Sequence, residues 1–428
     1  MAPPSSSPHA PGAAEVLVLG AGVTGASVAY ALSRRGHSVT VIDAAPEVAG
    51  AGCSYANAAL IAPSHVGPLA TRAALVEMAT SVWQRPAPVR VHADASVLGW
   101  LVRLARSAFS PHINEAMGYL RDFAHRSADL HAQWHAAGAN PTYRPVRSLD
   151  IYRRRRVLRG GRGPHFLTAE QLQGMEPQLA SGAGQGLAHE DEAITESRGF
   201  VQGLLSEVAS AGGRLRLGVE VKELLIRDGQ VRGARTSDGV IEGDAVVVCA
   251  GVDSAPMLRT AGLDLPLRGG RGYVVDVAKT SDDLSHVVRL KGQRVVITPL
   301  DDRIRVAGYM EFGAEGKSVD ATRARRLFEA AAQHVPSLRG RTVLQHWAGE
   351  RPLLPDGLPA IGAVSSMPGL HLAVGAGMWG MVLGPATGEI IADGIARPRE
   401  VHVPAWLGAD RFEAPGGRVE VSRAGLAN

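Results

Sequence analysis

Residues 15–32 restrict the fold more than any other part of the chain. They read Glu15-Val-Leu-Val-Leu-Gly-Ala-Gly-Val-Thr-Gly-Ala-Ser-Val-Ala-Tyr-Ala-Leu: a run of apolar residues, a turn with glycines at 20, 22 and 25, and a small-residue segment that suits a helix. A second apolar segment, Ser38-Val-Thr-Val-Ile, ends on Asp43. Strand, glycine turn, helix, second strand and terminal acid make a dinucleotide-binding unit in its required context. Gly20 permits the tight turn, Gly22 lets the backbone approach a pyrophosphate, and Gly25 lets the helix lie close to the strand. The pyrophosphate meets free N–H groups and the positive end of the helix dipole. Asp43, 23 residues after Gly20, is placed to accept hydrogen bonds from a ribose. These residues alone leave FAD and NAD both open.

The chain has 428 residues, 45% hydrophobic and 20% charged, enough for a large core divided among two or three domains or one interleaved unit. A net charge of +4 and 5% aromatic residues do not suit a nucleic-acid partner. The two cysteines, Cys53 and Cys249, lack disulfide or metal-ligand spacing and read as small buried residues in a reducing compartment. HExxH and GxSxG motifs are absent, and no metal is expected. Residues 1–14 read as a flexible Pro/Ser/Ala tail without signal-peptide regions. No apolar run is long enough to span a bilayer, so the expected location is cytoplasmic.

Residues 70–140 carry three- and four-residue apolar spacing and are expected to be helical, with Trp100, Phe123 and Trp134 in the core. The segment Arg147–Arg156 reads as a strand ending in four arginines, a solvated edge or a weak attraction to an anionic membrane face. A helix is expected over 198–211, ended by Gly212-Gly213, then strands at Arg214–Leu217, Glu220–Ile226, Val231–Thr236 and Asp244–Val248. The last enters a small-residue turn, Ala250-Gly251, that suits close approach to a ligand. Residues 269–307 are strand-rich and 320–335 helical. A strand at Leu370–Val374 leads into Gly375-Ala-Gly-Met-Trp-Gly-Met and a final helix to about Ala396.

Four separated segments agree with one family. They are the Gly20–Asp43 unit, Cys53-Ser-Tyr-Ala-Asn-Ala-Ala-Leu-Ile-Ala-Pro, Trp347-Ala-Gly-Glu-Arg-Pro-Leu-Leu-Pro-Asp-Gly-Leu-Pro-Ala-Ile-Gly, and Gly375-Ala-Gly-Met-Trp-Gly-Met-Val-Leu-Gly-Pro-Ala-Thr-Gly. Over about residues 15–400 the chain resembles the FAD-dependent glycine/D-amino-acid oxidase superfamily, and within it the bacterial D-amino-acid dehydrogenase small subunits. The resemblance implies an α/β protein: a Rossmann-like FAD-binding domain of discontinuous segments, plus a substrate domain with a mixed β-sheet and flanking helices. The expected segments are a tail at 1–14, FAD-binding parts at 15–69, 181–265 and 341–400, substrate parts at 70–180 and 266–340, and a tail at 401–428. It implies non-covalent FAD held by Gly20, Gly22, Val23, Thr24, Gly25, Asp43, Ser54, Asn57, Val221, Ala250, Gly251, Gly375, Gly377, Met378, Gly380 and Met381. The chain departs from the related dehydrogenases at Ala376 and Met378-Trp379, after Arg156, and in the acid-rich stretch from Glu190, all near the substrate side.

The implied chemistry is oxidative deamination of a small amino acid, D-configured as first choice, by hydride transfer from Cα to flavin N5. The imino acid then hydrolyses to a keto acid. Such a reaction needs a held carboxylate, and an arginine's planar fork matches one. Arg351 is the expected clamp. Tyr273 is a candidate hydrogen-bond donor to the same carboxylate, with Arg271 as a second clamp. His65, Met378 and Trp379 are expected to line the pocket, and Trp379 suits a flat or cyclic substrate. Backbone N–H groups and the helix dipole after Gly377 would stabilise charge on the reduced flavin. The electron acceptor is expected to be a quinone, a carrier or oxygen, with peripheral membrane contact as a further expectation. The alternatives are a glycine, sarcosine or D-hydroxyproline oxidase or dehydrogenase, a non-catalytic flavin-binding subunit, and an NAD-dependent dehydrogenase.

Overall fold

The computed structural model describes residues 13–81, 87–92, 94–152, 166–182, 184–314 and 318–412. In strand Glu15–Leu19 every residue after Glu15 is buried, as the centre of a parallel sheet covered on both faces requires. It pairs in parallel with Ser38–Asp43 on one side and Ala245–Val248 on the other. Arg214–Leu217 extends the sheet beyond Ser38–Asp43. Leu370–Val374 extends it beyond Ala245–Val248, with antiparallel Ala360–Ala363 at the edge. The sheet thus draws on separated stretches of chain, the discontinuous Rossmann-like unit that was expected.

Helix Val23–Arg34 covers one face and packs against helices Ser197–Ser210 and Gly380–Ala396. Its approach to the latter is backbone-close. A Cβ at Gly388 would lie 2.5 Å from the Ser27 carbonyl oxygen, and one at Gly384 3.0 Å from Val23 Cγ1. An antiparallel meander, Val221–Arg227, Gln230–Thr236 and Gly239–Glu242, shares a core with the other face.

A larger mixed sheet runs in the order Val343–Leu353, Arg268–Ala278, Arg303–Phe312, Val295–Pro299, Val287–Leu290, Arg144–Tyr152, Gln185–Ile194 and Leu60–Ile61. Val89–Val91 joins Arg303–Phe312 in parallel, and Phe166–Leu167 joins Gln185–Ile194. Helix Ala321–His334 covers one face through Ala324, Leu327 and Ala331. Asp320 caps that helix, its carboxylate accepting from the Thr322 and Arg323 amides at 2.9 and 3.1 Å, which satisfies two of the free N–H groups.

Sheet membership corrects the expected segmentation. Gln185–Ile194, placed with the second cofactor segment, pairs instead with Arg144–Tyr152, where Ala188 and Ile194 pack into cores of the larger sheet. Leu60–Ile61 and Val343–Leu353 also belong to that sheet. Among the described residues of 70–140 there are three helices, Arg72–Ser81, Ala95–Ser107 and Ile113–Ala136. The last packs on Gly380–Ala396 and shares the core of the nucleotide-type unit. Residues 401–412 are no tail: Leu407 is fully buried, Arg411 pairs with Asp356 at 2.7 Å, and Trp406 meets the Tyr119 ring edge-on. Residues 1–12, the arginine run Arg153–Arg156 and residues 413–428 lie outside the described residues. Trp100, Phe123 and Trp134 are core residues as expected.

Candidate active site

A continuous cavity of about 1030 Å³ runs between the two sheets. The glycine turn forms one end. Gly20 has φ +111°, and a Cβ there would lie 2.6 Å from the Cys249 carbonyl oxygen. At Gly22 a Cβ would lie 2.9 Å from Ser54 Oγ, and that hydroxyl accepts from the Val23 amide at 2.9 Å. Gly25 is required by packing, since its Cβ would meet the Gly20 carbonyl oxygen at 1.8 Å. The Asp43 carboxylate accepts from the amides of Ala21 at 2.6 Å and Ala45 at 2.8 Å. It is held at the mouth of the turn, where Val221, Ala250 and Gly251 border the same cavity.

Gly375 and Gly377 bring a second backbone loop to the cavity wall. Both have positive φ, and Cβ atoms there would lie 2.4 Å from Leu354 Cδ1 and 2.7 Å from Leu353 Cδ2. Trp379 precedes helix Gly380–Ala396 and supplies no side-chain cap, and the first-turn residues Gly380 and Met381 border the cavity. The Trp379 indole N–H donates to the Gly67 carbonyl at 2.8 Å and ties this loop to the one that carries His65. Asn57 lines the cavity, and its Oδ1 accepts from the Ala59 amide at 2.8 Å, which turns the chain where Ala59 has φ +54°.

Arg351 reaches the cavity from strand Val343–Leu353. Its side chain lies across Gly272, where a Cβ would be 2.1 Å from Nη2. Nη1 donates to the Tyr309 carbonyl at 3.0 Å and lies 3.7 Å from Met310 Sδ. Tyr309 has φ +61° and sits where the pairing with Arg268–Ala278 slips register. The resulting bulge presents its carbonyl to the guanidinium. Among the described residues no carboxylate lies within ion-pair distance of Arg351: Glu350 takes Arg271 at 3.2 Å, and Asp356 takes Arg411. Desolvation in this deep position lowers the Arg351 pKa from its ordinary value, the response of a cation awaiting an anion. Cys53 lies near it, and burial pushes that thiol up to about 11.

The far part of the wall is a buried charge network. Arg289 donates to Asp150 at 2.5 Å and to Glu192 at 2.7 Å, and Ser148 Oγ donates to Glu192 at 2.5 Å. His65 lies between the carboxylates, Nε2 at 3.2 Å from Asp150 and Nδ1 at 3.3 Å from Glu192. Burial opposes a charged ring there, but the two carboxylates hold its pKa above the ordinary value. Burial would raise the Asp150 carboxyl. Hydrogen bonds from His189 and His65 and the charges of Arg289 and Lys291 instead hold it well below the usual range. The ligand atoms of His65, His189 and Glu192 cluster within 4.8 Å. Both Glu192 oxygens already accept from Arg289, whose charge repels a metal ion.

All the expected site residues border this one cavity except Gly25, Arg271 and Tyr273. Tyr273 is a correction. Strand alternation sends Gly272 and Val274 to the cavity and Tyr273 to the opposite face, where it is 0% exposed and its hydroxyl donates to Glu311 at 2.5 Å. Arg271 shares that face and pairs with Glu350. The sequence reading missed Tyr309 and Met310. Their signal is a bulge, which leaves no mark in the alternation of Ile304-Arg-Val-Ala-Gly-Tyr-Met. It also missed the Arg289 network, whose members come from four strands or loops.

A model of the FAD dependent oxidoreductase (DAO) family matches residues 15–394. A D-amino acid dehydrogenase of Cereibacter sphaeroides is 31% identical over 427 residues, covering 94% of this chain and 96% of the relative. One of Paramagnetospirillum magneticum is 30% identical over 424 residues, covering 93% and 99%. Among solved structures, glycine oxidase from Bacillus cereus superposes with a TM-score of 0.71 at 22% identity over 91% of this chain and 96% of that one. L-Proline dehydrogenase from P. horikoshii gives 0.72 at 17% identity over 94% and 98%.

Proposed function

Because the chain belongs to the FAD-dependent oxidoreductase family, we propose that it oxidises the Cα–N bond of an amino acid, D-configured as first choice, with Arg351 as the carboxylate clamp. The names of the relatives support the reaction class. One observation carries the assignment of the clamp: a deep guanidinium borders the cavity with no carboxylate partner among the described residues. A planar fork in that position suits a substrate carboxylate in two parallel hydrogen bonds.

The residues present fit FAD. Gly20 and Gly22 form a turn at the cavity edge where a Cβ would meet the Cys249 carbonyl oxygen and Ser54 Oγ, and Gly25 lets the helix pack against it. Asp43 suits the adenosine ribose, and the Val23 helix N-terminus suits the pyrophosphate. The glycine loop from Gly375 and the uncapped helix at Gly380 suit the flavin ring. FAD, when bound, supplies the two-electron acceptor for the substrate's Cα–H. The chain's residues orient and desolvate. Arg351 would fix the carboxylate, the Tyr309 carbonyl fixes Arg351, and the start of helix Gly380–Ala396, at the cavity wall, would favour negative charge on the ring. No protein base is required once the amine is neutral.

Anaerobic mixing of the purified flavoprotein with D- and L-amino acids, glycine, sarcosine and D-hydroxyproline tests the reading. Bleaching of the flavin bands by an amino acid supports it. Bleaching by dithionite alone points to a non-catalytic flavin subunit. Arg351→Met is expected to lose about 30- to 5000-fold in kcat/KM, the range for removing one side of a buried charge contact, while still binding FAD. The names of the relatives favour a dehydrogenase, so air readmitted to the bleached protein is expected to restore colour slowly and a quinone quickly.

A further inference from the structure

Besides the Tyr309 carbonyl at 3.0 Å, the Arg351 guanidinium contacts Met310 Sδ at 3.7 Å. Met310 opens a continuous apolar wall. It pairs across the sheet with Val89 and shares a core with Phe312, Leu353, Leu69 and Met78. Leu69, Ala74, Met78, Val89, Met310 and Phe312 all border the cavity.

Among the described residues, charged groups near this wall sit in ion pairs. Glu77 pairs with Arg294 at 3.0 Å, Glu350 with Arg271 at 3.2 Å, and Asp150 and Glu192 with Arg289. Lys291 lies 3.5 Å from Asp150. A cationic substrate side chain would meet carboxylates that are neutralised, and an anionic one would meet cations that are neutralised. Either would lose hydration without a partner.

We propose that the substrate of this site is an amino acid with an uncharged apolar side chain of leucine, methionine or phenylalanine type, seated against the Met78–Met310 wall. Glycine would leave that wall uncovered. The inference rests on the Arg351 clamp reading above, because the clamp puts the side chain next to Met310. Two unbranched methionines give the wall an adaptable shape, so several apolar side chains fit while charged ones are refused.

The test is the reductive half-reaction of the holoenzyme, followed anaerobically with leucine, methionine, phenylalanine, alanine, glycine, arginine and glutamate, each chiral one as both enantiomers. In the enantiomeric series that bleaches the flavin, the three large apolar substrates are expected to exceed alanine and glycine by at least about tenfold in kcat/KM. That is the discrimination a few buried methylenes provide. Arginine and glutamate should fall below alanine. A best substrate among arginine, glutamate and glycine overturns the inference and leaves amino-acid oxidation standing. No bleaching by any of them overturns both. A second variant locates the wall: Met78→Glu adds a carboxylate at a half-buried cavity position and is expected to raise the arginine-to-leucine ratio at least tenfold. An equal loss for both substrates in that variant overturns the placement.

Discussion

At the residue scale the site turns on one missing side chain. Gly272 is not in a left-handed conformation, so its backbone tolerates any residue; what it lacks is room. A Cβ there would overlap the Arg351 guanidinium, the far end of a flexible side chain. Gly272→Ala is therefore expected to fold normally and displace the clamp. A displacement of about 1 Å near reacting atoms costs on the order of 100-fold in rate. Stopped-flow reduction of Gly272→Ala should show that scale of loss in kcat/KM, carried largely by KM, with an unchanged unfolding midpoint; an unchanged KM would separate Gly272 from the clamp. The place of Arg351 at the cavity wall was legible in the sequence, because Gly349-Glu-Arg-Pro is a compact local motif. Tyr273 was misassigned because alternation fixes which residues share a face but not which face meets the cavity, and the bulge at Tyr309 gives the strand no compositional mark.

At the element scale, helices and strands were the most readable layer. The apolar run and glycines of residues 15–32, the Gly212-Gly213 stop and the strand before Gly375 all lie where expected. Helix–helix contacts were less readable, since they depend on residues far apart in the chain. Helix Ile113–Ala136 is pinned to the start of helix Gly380–Ala396 through His131. Its Nε2–H donates to the Met381 carbonyl at 2.9 Å, and Asn140 Nδ2 donates to Nδ1 at 3.3 Å. Full burial holds the ring neutral and brings its pKa down to about 4. The unfolded chain takes up this proton near pH 6.5 and the native one near 4, so between those values the unfolded state binds more protons. Stability from this group is complete above about pH 6.5 and falls as the pH drops, by up to about 3 kcal/mol near pH 4. Chemical unfolding from pH 7 to 4 should follow that slope. His131→Gln, which keeps a donor for Met381, should flatten it.

At the scale of the whole molecule, the two-sheet architecture and the shared cavity were legible because four separated motifs agreed. The boundaries were not. Gln185–Ile194 and Val343–Leu353 open the segments assigned to the cofactor side but hydrogen-bond into the larger sheet, and cross-sheet pairing leaves no local signal. Both sheets line the cavity, so bound FAD joins them. The unfolding midpoint is expected to keep rising with FAD concentration. FAD at 100 times its Kd should add about 2.7 kcal/mol, measured by titrating flavin into stripped protein. A midpoint indifferent to added flavin would mean that the cavity does not hold it.

The pairing of Glu15–Leu19 with Ala245–Val248 and the later arrival of Leu370–Val374 also set a clock. During synthesis the first strand leaves the ribosome with both its partners unmade but for Ser38–Asp43. At about 5–20 residues per second, the roughly 225 residues to its second neighbour take about 10–45 s, and the far side of the sheet waits longer still. Throughout that interval a strand that is apolar after Glu15 keeps one unpaired edge, the kind of edge that recruits other chains. Yield of the folded protein in a cell is thus expected to depend on chaperone supply and translation speed more than on the stability of the finished molecule.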